Sequence, residues 1–260
     1  MSRAEVRVGL LLGVVTAAVY MIGSRRSFGY DAAASFANFI ATPSIWDAFA
    51  VRSVIPTIPL TQVATNDHVL LSLLSHLMYS ATGIRSEALY RLIPALAAGA
   101  TVGVSTGALV RRFGMLSGVC AGLYIATDPL FVDNGRDLRG YSLAALGSVL
   151  ATLILNGKWT RGRLVAYSLI MGLAIAAQLF AGVVLLCHIA WIATRRSRGQ
   201  VLQLAPAWIG ALLIGSWKNT IGISLRSLSK LNDSCSTLVW ASILAVSAGC
   251  GSPTRISGPQ

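Results

Sequence analysis

The sequence predicts an all-α, polytopic transmembrane protein of about seven spans, six to eight, with a long first extracytoplasmic loop carrying short interfacial helices. Three observations predict it. The chain is 55% hydrophobic and 12% charged, against roughly 25% charged for an average soluble domain, and its mean hydropathy is +0.68. Apolar runs near the length of a membrane span recur along it. Basic residues stand in short clusters at the ends of those runs, the pattern of the positive-inside rule. The net charge of +12 does not imply nucleic acid as a partner, because nucleic-acid binding needs cations along one surface and topology accounts for these.

Residues 8–23 form the first apolar run, after Arg3 and Arg7. Arg25 and Arg26 stand where a small-residue cleavage site would be expected, so the run reads as a retained helix with its N-terminus in the cytoplasm. Residues 24–91 mix polar and apolar residues around Pro43, Pro56 and Pro59, which excludes a continuous span through the middle. Residues 32–40 and 69–81 are expected to be short helices at the membrane surface.

Residues 92–110 carry no charge, and at 1.5 Å per residue they reach about 28 Å, close to the hydrocarbon thickness. Arg111 and Arg112 end them in the cytoplasm. Residues 113–127 return outward, 128–139 form a charged outer loop, and 141–155 descend to Lys158, Arg161 and Arg163. Residues 164–194 are too long for one untilted span and read as a helical pair broken near Gln178. Arg195, Arg196 and Arg198 then complete four basic clusters on one side.

A further run covers 201–217, after which serine becomes frequent and the hydrophobic pattern thins. The expected division is a membrane domain over 1–217 and an atypical serine-rich tail over 218–260, with one short span between Cys235 and Cys250. The four cysteines, with Cys120 and Cys187, give no zinc spacing or disulfide framework. No Walker loop, Gly-x-Gly-x-x-Gly fingerprint or His-Glu-x-x-His motif is present, so ATP-driven transport, nucleotide binding on a Rossmann turn and zinc proteolysis lose their usual basis. A secondary transporter would show matching broken helices in two halves, and no such symmetry occurs.

Seven of the nine carboxylates (Asp31, Asp47, Asp67, Glu87, Asp128, Asp133 and Asp137) fall between Ser27 and Tyr141. Ionisable groups beside a bilayer are costly unless they face water, a partner or a substrate, so this concentration marks a candidate functional face. Asp31 is a candidate proton acceptor, or else a helix cap. Asp67 and His68 are the candidate ligands for a divalent metal, a two-residue set short of a complete site. Glu87 and Arg91 have the i, i+4 spacing that supports a helix. Arg136 and Arg139 suit phosphate oxygens, which guanidinium binds bidentately, or anionic head groups of membrane lipid. Tyr141 suits an interfacial belt.

In order, Phe28-Gly29-Tyr30-Asp31-Ala32-Ala33 follows the first helix, Asn66-Asp67-His68 precedes an apolar helix, and residues 87–94 (Glu-Ala-Leu-Tyr-Arg-Leu-Ile-Pro) open a span. Asp128-Pro129 then runs into residues 136–143 (Arg-Asp-Leu-Arg-Gly-Tyr-Ser-Leu). This succession resembles the N-terminal half of the C-type membrane glycosyltransferases, in the branch of the protein mannosyltransferases, the lipid A aminoarabinose transferases and the Rgt-type lipopolysaccharide glycosyltransferases. It covers residues 5–195.

The resemblance implies a multi-pass plasma-membrane enzyme that moves a sugar from a polyprenyl-phosphate donor to an extracytoplasmic glycan, lipid or protein acceptor. It assigns Asp31 and Asp67 to catalysis, and Tyr30, His68, Glu87, Arg91, Arg136, Arg139 and Tyr141 to substrate. Many relatives carry a second acid directly after the aspartate, where this chain has Ala32, which leaves that role to Asp67 or to no residue. From Lys218 the resemblance ends, the pattern that a fragment or a shifted reading frame produces. The alternative expectation is a non-catalytic, truncated membrane protein that binds or flips lipid-linked intermediates.

Overall fold

The computed structural model describes residues 3–23, 29–45, 52–53, 63–64, 68–195 and 198–216. In chain order these form α1 (Arg3–Gly23), α2 (Tyr30–Ser35), a π-helical turn (Phe36–Ile40), β1 (Arg52–Ser53), β2 (Val63–Ala64), α3 (Val69–Thr82) and α4 (Glu87–Phe113). There follow α5 (Met115–Thr127), α6 (Pro129–Arg136), α7 (Tyr141–Leu155), α8 (Arg161–Ala177), α9 (Ala181–Arg195) and α10 (Arg198–Ser216). The serine-rich tail, Asp47 and Asp67 lie outside the described residues.

Helix α1 turns its small side inward. Gly9, Gly13, Thr16, Ala17 and Tyr20 are buried, while Leu10, Leu11, Val14 and Ile22 are exposed. Tyr20 apart, large apolar residues outside and small ones inside reverse the soluble pattern and match helices that pack by close backbone approach in lipid. The seam with α4 is tight enough to exclude side chains. A Cβ on Gly9 would stand 2.5 Å from the Gly103 carbonyl oxygen, and one on Gly13 2.7 Å from that of Gly99. Because Gly9 meets Gly103 and Gly13 meets Gly99, the two helices run antiparallel.

Gly114 ends α4 at φ +90°, a backbone conformation suited to glycine, and starts the return of α5. Gly118 then meets Val110 and Gly122 meets Thr106, so α5 is antiparallel to α4 as well. Asp128 ends α5 and caps α6, its Oδ1 accepting from the Phe131 N–H at 2.8 Å, with Pro129 in the first helical position. The chain bends there by 61°.

Helices α7 and α8 are antiparallel, with Gly147 against Ala174 and Gly140 against Ala177. The return from α8 to α9 is made at Gln178. Beneath it, His188 of α9 is buried between Thr152 of α7 and Tyr167 of α8. The Thr152 hydroxyl donates to the Ser148 carbonyl at 2.7 Å, so it accepts from His188 Nε2–H at 2.9 Å, and Tyr167 donates to Nδ1 at 3.1 Å. This three-helix connection fixes one tautomer of His188.

Among the described residues, α1 and α4 are long and apolar enough to cross a membrane. The bent α5–α6 pair makes a third crossing if it is one span, while α3, α7, α9 and Val201–Gly215 are apolar but shorter. The protein is therefore helical and compatible with a membrane setting. One expectation needs correction. The charged outer loop over 128–139 is largely helix α6, because the Asp128 cap and Pro129 start a helix despite the charges. The all-α class stands, with one antiparallel contact of two residues on each side in the first loop, Arg52 opposite Ala64 and Ser53 opposite Val63.

Candidate functional site

The antiparallel pairings gather one set of helix ends, the finish of α1, α5 and α8 and the start of α4, α7 and α9. The basic clusters stand at the other: Arg3 and Arg7 open α1, Arg111 and Arg112 close α4, Lys158, Arg161 and Arg163 span the α7–α8 turn, and Arg195 closes α9.

Three of the four sequence segments quoted above send one apolar anchor into a single cluster, and the helix that follows the other segment sends a fourth. Ala32 follows Asp31, Leu71 lies three residues after His68, Tyr90 sits between Glu87 and Arg91, and Leu138 sits between Asp137 and Arg139. With Ile40 they are packed together, each 1% exposed or less. Phe36 stands edge-on to Tyr90, with ring centroids 5.0 Å apart, and Tyr90 donates its hydroxyl hydrogen to the Ile84 carbonyl. Segments far apart in sequence thus meet through their apolar residues, which brings the flanking polar residues to one region.

Within that region His68 and Tyr141 are in contact, edge to face at 5.4 Å. His68 Nδ1 lies 3.3 Å from the Ala177 carbonyl oxygen, which can only accept, so Nδ1 carries the hydrogen of that contact. Gly140 permits this meeting, since a Cβ there would collide with the Ala177 carbonyl. Gln178 is 3% exposed and its Oε1 accepts from the Leu179 N–H at 3.1 Å, closing the α8–α9 break beside His68.

The two candidate phosphate-binding arginines make different contacts. Arg139 Nε pairs with Asp137 at 3.1 Å, both partly exposed. Arg136 lies over the ring of Tyr20, 5.5 Å from its centroid, with its guanidinium against the backbone of Gly23 at the end of α1. A cation beside a helix C-terminus and an aromatic face is stabilised by both. Tyr20 itself is held by donating to the Ala126 carbonyl at 2.8 Å.

Glu87 opens α4 in its first turn, where a carboxylate favours the helix dipole. Arg91 is 4% exposed, one turn inward. Tyr30 and Asp31 are the first two residues of α2, but their side chains lie outside the described part of the structure, as does all of Asp67. No group of three His, Cys, Asp or Glu residues suited to a metal ion occurs among the described residues.

The chain matches no family model, no curated protein and no solved structure. The site therefore rests on its own geometry. Sequence reasoning missed His76 and His188 as organising residues, since the partners of each come from distant segments. It also missed the seam of α1 and α4, although the four-residue spacing of Gly9 and Gly13, and of Gly99, Gly103 and Gly107, was a readable signal.

Proposed function

We propose that this chain is a multi-pass membrane glycosyltransferase of about seven spans, acting on a polyprenyl-phosphate sugar at the extracytoplasmic face. One observation carries the reading: three of the segments resembling that superfamily, and the helix that follows the fourth, share one apolar cluster, at the end of the helices away from the basic clusters. The positive-inside rule puts the basic end in the cytoplasm. The N-terminus of α1 is then cytoplasmic and the cluster extracytoplasmic.

The chemistry follows from the residue types. A glycosyl acceptor must lose its hydroxyl proton as its oxygen attacks the anomeric carbon, and a carboxylate such as Asp31 takes or orients it. The polyprenyl phosphate leaves with the electron pair of the broken C–O bond, and its charge is met by fixed guanidinium groups. Arg139, partly exposed and ion-paired, exchanges Asp137 for phosphate readily, since exposed pairs are worth little. Arg136 is held against α1 and sets the local positive potential.

The test measures transfer and donor binding side by side in Asp31→Asn. Lost transfer with retained binding of a polyprenyl-phosphate sugar supports an enzyme. Binding by wild type, unchanged in Asp31→Asn and without transfer by either, indicates instead a protein that binds or flips lipid-linked intermediates.

A further inference from the structure

Helix α2 and the π-helical turn form one continuous segment, and Asp31 is its second residue. A helical segment this short does not hold itself in place. Its stability must come from its neighbours, and three side chains supply the contacts. The ring of Phe36 stands edge-on to Tyr79 of α3 at 6.1 Å and to Tyr90 of α4 at 5.0 Å. The third is His76 of α3, 5% exposed, whose Nδ1 lies 2.9 Å from the Ile40 carbonyl oxygen.

The roles in this last contact follow from chemistry. A carbonyl oxygen only accepts, so Nδ1 bears the hydrogen, and Nε2 of the neutral ring accepts from the Ser80 hydroxyl at 3.1 Å. Ile40 is the final residue of the π turn, where a helix leaves its carbonyls without partners inside the helix. A leucine in place of His76 would fill similar space and leave that buried carbonyl without its donor. The turn itself, closed by the Ala41 N–H to the Phe36 carbonyl at 2.8 Å, has the wide geometry common at functional sites.

We propose that His76 is a positioning residue, whose Nδ1–H to Ile40 bond sets where the α2 segment, and with it Asp31, stands against α3 and α4. The inference rests on the reading of Asp31 as the reacting or orienting carboxylate. His76 touches no reacting atom and acts through the segment that it holds.

The test uses the full chain in lipid nanodiscs, with hydrogen exchange of the amides over 36–41 and steady-state transfer measured on the same samples. Loss of one such bond in His76→Leu should speed exchange by about ten-fold. It should lower kcat by a similar factor and leave KM for the donor unchanged. His76→Asn, whose amide N–H reaches from the position of Nδ1, should restore both. Ser80→Ala should shift both readouts in the same direction by less, and it decides the matter if His76→Leu does not fold. Unchanged exchange, or faster exchange with intact kcat, overturns the proposal. Faster exchange in a protein whose wild type transfers nothing refutes the catalytic reading, and the positioning role falls with it while the tether stands.

Discussion

Replacing Gly9 or Gly13 by alanine tests whether backbone contact between α1 and α4 organises the fold. An ordinary Cβ contact begins near 3.4 Å, whereas the added atoms would stand 2.5 Å and 2.7 Å from backbone oxygens of α4. Backbone cannot rotate away as a side chain can, so the helices must part by about 0.9 Å at Gly9 and about 0.7 Å at Gly13. A gap of that size forfeits about a quarter to a half of each dispersion contact along the seam. Overpacking of this kind costs about 1–3 kcal/mol, or a fall in Tm of about 4–8 °C for a 2 kcal/mol loss in a chain of this size.

Gly162 and Gly182, also helical, have open space where a Cβ would go, so alanine there should be neutral or stabilise by about 0.5–1 kcal/mol. Tryptophan fluorescence during thermal unfolding in detergent gives all four values. The expected order of destabilisation is Gly9→Ala, then Gly13→Ala, with Gly162→Ala and Gly182→Ala at or above wild type. Equal tolerance at Gly13 and Gly182 would refute the seam.

Four further predictions concern the interior and the site. Tyr167→Phe removes the donor to His188 Nδ1 and should cost about 1–3 kcal/mol; a cycle with Thr152→Val should show coupling between these mutations on different helices, and strict additivity in thermal unfolding would contradict the shared histidine. Asp128→Ala should cost about 1 kcal/mol through the lost cap of α6, measured by the same unfolding, with Asp128→Asn nearly neutral. Arg139→Gln should weaken retention of polyprenyl phosphate in a binding assay and change stability by under about 1 kcal/mol, because its ion pair is exposed. Arg136→Gln should instead lower Tm, since its guanidinium packs on Tyr20 and Gly23.

Much of the helical framework was legible because charges and helix breakers mark its ends. Residues 141–155 coincide with α7, residues 69–81 fall one residue short of α3, and the break at Gln178 separates α8 from α9. Helix α6 was obscured by Asp133 and Arg136, although Asp128-Pro129 is a helix-start signal. Helix α4 begins at Glu87, five residues before the uncharged run, because a helix tolerates charges at its mouth. The candidate site was legible only as four segments in order. Their meeting through Ala32, Leu71, Tyr90 and Leu138 was not, since no local pattern encodes contacts between residues so far apart in sequence. The roles of His76 and His188 were hidden for the same reason: one bonds to the carbonyl of a π turn 36 residues away, the other to two different helices.

The most direct measurement is transfer of radiolabelled sugar from a panel of polyprenyl-phosphate sugars in membranes expressing the chain, with Asp31→Asn beside it. The account predicts transfer from at least one donor by the wild type, reduced by about 10²- to 10⁴-fold in the mutant, the range for a lost general base. Well-folded wild-type protein that transfers from no donor, or an Asp31→Asn variant as active as wild type, would contradict it.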